Sequence, residues 1–416
     1  MATYTIPPLG PGWQLAALIA RYRFALSLER EVIGILEDAY RQIAEDIRRG
    51  PPLSRTERRA IEDRFLEIRK LLAEAYGTAH GRVSPVLRDY AALEAELSAR
   101  QAEAMRAVTA AMRATSTTEL ATTIGGAAGG VSAVIQGVPR QLVVSSARLA
   151  EIVEQIDVGG IGFGAWWDRA RDDGILRVRR MIQTGIVRGL NPTQIASTIW
   201  SQRNLGGPNA WRQSRTVLST AVRTVVTAVQ SEAALTAEQS FRDVIGWYEF
   251  QAVIDSRTSD ICRPLDGTRY RPGDPKMPVP PLHPHCRSAL VPIPDIPGID
   301  STGSPRTTYD AWLRQQSPAT QNAILGNGIA EHYRAGKTTL SDLLSVDRRP
   351  LSLAQLRRAL HSADPASYAA WIGSLPDAAQ NAVLGKALAT RFRSGAAPLA
   401  DLLAASARAG VVTTTD

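Results

Sequence analysis

Apolar residues recur at helical spacing over most of the chain. Residues 1–12, with Pro7, Pro8 and Pro11, read as an extended arm. From Gly12 onward Leu15, Leu18, Ile19, Tyr22 and Leu26 share one face, and Val32, Leu36, Ile43 and Ile47 continue the stripe until Gly50-Pro51-Pro52 stops it. Ser54 and Glu57 have the spacing of a capping box, in which each side chain satisfies a free backbone donor of the other. Ile61, Phe65, Ile68 and Leu72 line a second helix, and a third helical pattern runs from Ser84 to Arg113. Helices with one apolar stripe pack on each other or on a neighbouring subunit.

Residues 140–245 are again helical, with an aromatic patch at Trp166-Trp167. Arg177, Arg179, Arg180 and Arg188 lie in a helix around Met181 and Ile182. The stretch GLNPTQIA, Gly189 to Ala196, predicts a helix end and a new start, with Asn191 as N-cap and Pro192 at the first helical position. A helix from Trp211 to Gln239 follows, with Val217, Ala221, Val225, Ala228 and Val229 as its buried face. At Ile245 the pattern changes: Trp247, Phe250 and Val253 begin a strand. Ten prolines fall between Pro264 and Pro297, Asp266-Gly267 signals a tight hairpin with positive dihedrals, and Ser288 to Ile293 reads as a closing strand. A module of about fifty residues is too small to be stable on apolar burial alone.

The last hundred or so residues repeat with a period of 59. Tyr309, Trp312, Gln321, Asn322, Leu325, Arg334 and Gly336 recur as Tyr368, Trp371, Gln380, Asn381, Leu384, Arg393 and Gly395. The alignment of 309–344 with 368–403 holds 16 identities in 36 positions without a gap, which marks a duplication of a small helical unit. Ser352 and Gln355 cap a connecting helix.

Charge modifies this picture only mildly. The 416 residues carry 48 basic and 40 acidic side chains, net +8, and only four of the basic ones are lysines. No segment is a basic arm, and residues 246–300 are slightly acidic, with six basic and seven acidic residues. Sequence-independent DNA contact is therefore permitted, with Arg177, Arg179, Arg180 and Arg188 as the candidate surface for DNA or a partner, but it is not demanded. The N-terminus lacks the basic start and apolar core of a signal peptide. The uncharged run Leu120 to Pro139 is rich in Thr, Ser, Gly and Ala, and reads as a connection rather than a membrane span. No stable membrane insertion is expected.

Two cysteines exclude a multi-disulfide scaffold, yet both lie in the Pro-rich module beside two of the five histidines. Cys262, His283 and Cys286 are suitable zinc ligands, with Asp255 or His285 available as a fourth. A metal would supply folding energy that so small a core lacks. A Cys262–Cys286 disulfide and a purely structural set of buried thiols remain open beside it. Cys262, His283 and Asp255 can also be drawn as nucleophile, base and orienter, but no local nucleophile signature accompanies them. Asp255, Arg257 and Asp266 read more economically as an ion-pair and turn-fixing set, and Arg287 can do the same or face phosphate.

Here the sequence resembles a known family. The strings DSRTSDICRPLDG and PPLHPHCRSALVPI resemble the signature of Mu F-like phage head morphogenesis (minor head, minor capsid) proteins. Its structural motif falls on Asp255, Arg257, Thr258, Cys262, Leu265, Asp266, Gly267, Pro281, His283, Cys286 and Arg287, with His285 at a variable position. GLNPTQIA and Arg223-Thr224 also resemble the family, although the Glu that usually follows is Val225 here. The resemblance covers residues 184 to 294. It implies a structural, non-enzymatic protein of the virion head near the portal, present in the host cytoplasm during assembly. The implied partners are the portal protein, scaffold or major capsid protein, and packaged DNA without sequence specificity. The competing reading is a toxin-like or other enzyme effector delivered by a Mu F-like module. The expected fold is mainly α with a small β-containing, Pro-rich module (α+β). Its parts are a long-helix region at 1–115, a Gly/Ala-rich connection with helices at 116–183, and a Mu F-like domain at 184–296 that holds the Cys/His module at 246–294. Helical repeats at 305–347 and 364–406 complete it.

Overall fold

A computed structural model describes residues 11–51, 58–115, 144–156, 160–201, 209–253, 258–294, 313–325, 327–339, 350–362, 377 and 386–395. The Ser54–Glu57 capping box, the run Leu120 to Pro139, and the repeat residues Tyr309, Trp312, Tyr368 and Trp371 lie outside them. The described chain is mostly helical: α1 (Pro11–Arg49), α2 (Arg58–Thr115), α3 (Ser146–Gln155), α4 (Phe163–Val187), α5 (Pro192–Ile199) and α6 (Ala210–Glu238) precede a small sheet. The sheet strands are β1 (Ile245–Gln251), β2 (Arg269–Tyr270) and β3 (Ala289–Pro294). Helices α7 (Pro318–Leu325), α8 (Asn327–Arg334), α9 (Leu353–Ser362) and α10 (Lys386–Arg393) follow. The fold is thus mainly α with a small β module, as the periodicity predicts. Among the described residues no helix is long and apolar enough to cross a membrane.

Two helical patterns expected after Gly50 are one continuous helix, α2, with Pro85 inside it. A proline in a helix interior removes one backbone bond and crowds the preceding turn. Here Ile68, Leu72, Tyr76, Ala79, Val83, Leu87 and Tyr90 are all buried, so packing on both sides of Pro85 outweighs the lost bond.

The chain divides into two compact units, and α1, α2 and α6 each contribute residues to both. One unit comprises residues 24–91 and 147–229. Its core is aromatic: the Phe24 and Tyr90 rings lie 4.8 Å apart, and Trp167 donates Nε1–H to the Tyr76 carbonyl at 2.9 Å. Tyr40 and Arg177 both reach Ser214 Oγ at 2.7 Å. Gly174 leaves room for this group, since a Cβ there would stand 2.9 Å from the Tyr40 and Tyr76 hydroxyls. Helix α4 ends as GLNPTQIA predicts. Gly189 takes φ +69°, Leu190 N–H returns to the Gly185 carbonyl, and Asn191 and Gln194 form the capping box of α5. In α6, Ala221, Val225, Ala228 and Val229 are buried, whereas Val217 is exposed and Leu218 takes its place in the core. Val225 thus fills a packed position. Beside it, Arg223 is held by Glu29 at 2.5 Å.

The other unit comprises residues 1–23, 92–146 and 230–416. Its sheet is antiparallel with order β2-β1-β3, so β1 is central and nearly every residue in it is buried. Ala99 and Ala102 of α2 cover Phe241, Val244, Ile245 and Tyr248. Leu18 and Ile19 of α1 pack on a cluster of Val253, Leu313, Leu325, Ala330 and Tyr333. The duplication is visible locally: α8 and α10 span positions 59 apart at both ends. Each helix is followed by a glycine at positive φ, Gly336 at +69° and Gly395 at +68°. Ser352 and Gln355 exchange the predicted capping bonds at the start of α9.

One buried acid ties α2, α6 and β1 together. Glu238 is enclosed and hydrogen-bonded with Tyr248 and Ser98. Burial outweighs those bonds and raises its pKa to about 8. The folded pKa therefore lies above the unfolded value, and the stabilisation is present below about pH 4.5 and is lost as pH rises through about 8. The melting temperature of the wild type is expected to fall between pH 5 and pH 9 relative to Glu238→Gln, which stays neutral. Parallel pH profiles in thermal melts of the two proteins would contradict this.

Candidate metal centre

Three chain segments converge beside β1. The first begins at Thr258, whose Oγ1 donates to the Val253 carbonyl at the exit of the strand, while Arg263 Nη2 donates to the Thr258 carbonyl at 3.1 Å. Ser259 then acts as a cap: its Oγ accepts from Cys262 N–H at 3.1 Å, and Arg263 N–H returns to the Ser259 carbonyl at 3.0 Å. These bonds fix Cys262 at the entry to a short 3-10 turn, Arg263–Leu265.

The second segment is the Asp-Gly turn. Asp266 has φ −58° and ψ 127°, Gly267 has φ +78°, and Thr268 N–H donates to the Leu265 carbonyl at 2.9 Å. This is a type II turn, with one positive dihedral rather than the two of the expected mirror-image hairpin turn. The reason lies in its anchoring. Asp266 Oδ1 accepts from Ala252 N–H at 2.8 Å, and Gly267 N–H donates to the Phe250 carbonyl at 2.8 Å, so the turn is tied to β1 from the side.

The third segment is His283 to Cys286. Cys286 N–H closes on the His283 carbonyl at 3.1 Å, with Pro284 second and His285 third at φ +59°. A proline followed by a residue at positive φ is the chemistry of a reversing turn. It brings the His283 and Cys286 side chains to one side and leaves His285 exposed. The peptide between Pro280 and Pro281 is cis.

The ligand atoms of Cys262, His283 and Cys286 lie within 4.8 Å of one another. Cys262 Sγ is 3.2 Å from His283 Nε2 and 3.8 Å from Cys286 Sγ; neither cysteine is in a disulfide, and both are buried. They pack with Phe250 and Ala252. His283 Nδ1 lies 2.8 Å from the Pro284 carbonyl, which can only accept, so Nδ1 carries the proton. Nε2 is then the ring nitrogen that faces Cys262 Sγ and Ser259 Oγ, the latter at 2.8 Å. Burial pushes the Cys286 thiol up, with a smaller contribution from Cys262, and hydrogen bonds at Ser288 and Leu282 partly offset this. A metal would displace these thiol protons.

The donor set fits a metal: two sulfurs and an imidazole whose tautomer is fixed by a backbone carbonyl. His285 is not among the converging ligand atoms of the described residues. Asp255 and Arg257 lie outside the described residues. The Pro284 carbonyl occupies the orienting position that a Cys–His–Asp triad would assign to Asp255. Arg287 is half-buried directly after Cys286.

Sequence reasoning missed Ser259, which touches both Cys262 and His283; a serine three residues before a cysteine carries the signal as a capping residue. It also missed the buried pair Glu249–Arg269, 3.0 Å apart, for which a lone acid inside an apolar strand is the signal. Of the four candidate arginines, Arg177 is committed to Ser214, and Arg179 lies 3.9 Å from Glu62 and over the Phe65 ring. Arg180 and Arg188 are exposed.

Residues 177–291 match the family model described as Phage Mu protein F like protein. No curated protein and no solved structure matches the chain.

The two positive-φ residues of the module predict opposite responses. His285→Gly relieves a dihedral that L side chains rarely adopt, so its melting temperature is expected to equal or exceed that of the wild type. Gly267→Ala introduces the same strain and is expected to cost about 1–2 kcal/mol in urea denaturation. A large loss for His285→Gly, or none for Gly267→Ala, would overturn the turn assignments.

Proposed function

We propose, taking residues 177–291 as a Phage Mu protein F-like domain, that the chain is a minor head protein of a tailed bacteriophage. It acts in head morphogenesis through contacts with the portal protein. The family match carries this reading, because it falls on the helix-and-module segment in which the cysteines, His283 and the anchored turns lie. The helical character supports a role in protein contact, and the duplicated tail adds repeated docking units. Scaffold or major capsid protein would be further contacts during assembly in the host cytoplasm, and the finished head the final location. DNA contact is secondary and sequence-independent, with Arg180 and Arg188 as the available side chains.

In the same module, Cys262, His283 and Cys286 hold a zinc ion that adds the folding energy a small apolar cluster lacks. The fourth position falls to a group beyond these three, such as Asp255 or a water molecule.

Two measurements test these readings separately. The full chain should co-purify with its cognate portal protein and be found by mass spectrometry in DNA-filled particles; absence from purified particles overturns the head assignment. Metal analysis of untagged protein should give one zinc per chain, falling in Cys262→Ser and Cys286→Ser but not in His285→Gly. A zinc content near zero, with melting unchanged by a chelator, overturns the metal assignment.

A further inference from the structure

The two sulfurs stand at a separation that suits a shared tetrahedral ion and also leaves them as each other's neighbours. Cys262 Sγ and Cys286 Sγ are 3.8 Å apart and belong to chain positions 24 residues apart. A disulfide bond is about 2.05 Å long. The backbone at each end is held by the Ser259 cap and by the His283–Cys286 turn. The pair is buried, but its rim is partly open: His283 is half-buried, and Pro284 and His285 are exposed. Cys262 and Cys286 are also the two cysteines of the whole chain, which leaves no competing thiol within it.

We propose that Cys262 and Cys286 form a redox clasp: metal ligands while reduced, and an intrachain disulfide after reaction with a peroxide. The metal-bound arm rests on the zinc reading above; the disulfide arm rests on the sulfur geometry. The steps balance. Where the sulfurs hold the ion as thiolates, each takes back from solvent the proton the metal displaced; the Cys262 thiol then attacks hydrogen peroxide, giving a sulfenic acid and one water. The Cys286 thiol then attacks that sulfur, forming the S–S bond and releasing a second water. Two thiols lose two electrons, and the peroxide gains them. Loss of both sulfur ligands would leave His283 and the fourth group without the thiolates, so the ion would depart. The covalent bond then holds the Cys262 and Cys286 segments together in its place.

The test uses the full wild-type chain treated with hydrogen peroxide in small excess. Titratable thiols should fall from two per chain to none, with one zinc released for each disulfide formed. Peptide mapping should find Cys262 joined to Cys286, non-reducing gels should show monomer, and dithiothreitol should restore both thiols. In Cys286→Ser, with no resolving thiol, Cys262 should proceed to the sulfinic acid instead. Disulfide-linked dimers, sulfinic acids in the wild type, or thiols untouched by peroxide that oxidises free cysteine would each overturn the clasp. If the purified protein carries no zinc yet forms the intrachain disulfide, the zinc reading fails and the disulfide arm stands.

Discussion

A module of about fifty residues rich in proline can bury little apolar surface, and among the described residues its own cluster has Phe250, Ala252 and the two cysteines as buried members. The meeting of Cys262, His283 and Cys286 therefore carries a disproportionate part of its organisation. Everything around it serves that meeting. The Thr258 and Ser259 bonds aim Cys262, the Asp266 carboxylate ties the intervening turn to β1, and the His283–Cys286 turn presents the other two ligands. The backbone carbonyl of Pro284 sets which imidazole nitrogen faces the sulfurs. The local sequence is thus chosen for where it puts three side chains rather than for an apolar core.

Polar burial recurs beyond this cluster. Glu249 and Arg269 are enclosed together between β1 and β2, Glu29 and Arg223 pair in the other unit, and Glu238 is buried as a neutral acid. Removing one member of a buried pair strands a charge, so each pair specifies its geometry more than it adds net stability. In β1 this matters directly. Arg269 lies opposite Glu249 in the strand register, and the ion pair reinforces a β2 only two residues long.

Much of this was legible from the residues. The α1 stripe, the Gly189–Asn191–Pro192 junction, the strands at Ile245 and Ala289, and the Ser352–Gln355 cap all follow from local rules of spacing and capping. The period of 59 was legible too, and it reappears as two helices ending on equivalent glycines. What escaped depends on tertiary contact. Pro85 argues locally for a helix boundary, and only the burial of residues on both sides keeps α2 continuous. Val217 and Leu218 are adjacent and equally apolar, so the helix phase that buries one and exposes the other is decided by the neighbours. The Asp-Gly pair fits two turn types, and its bonds to Ala252 and Phe250 select the type II form. In the candidate site the three ligands were readable as residue types at a suggestive spacing, whereas Ser259 and the Pro284 carbonyl became visible as partners only in three dimensions.

The zinc proposal requires two thiolates and one imidazole nitrogen to share a single ion. Loading the protein with Co2+ is the sharpest check, because sulfur-to-cobalt charge transfer and ligand-field absorption report ligand type and geometry together. One cobalt per chain is expected, with the near-ultraviolet bands of two thiolates and the intense visible bands of a tetrahedral site, all lost in Cys262→Ser and retained in His285→Gly. Weak, octahedral-type absorption without thiolate bands, or a spectrum indifferent to Cys262, would contradict it.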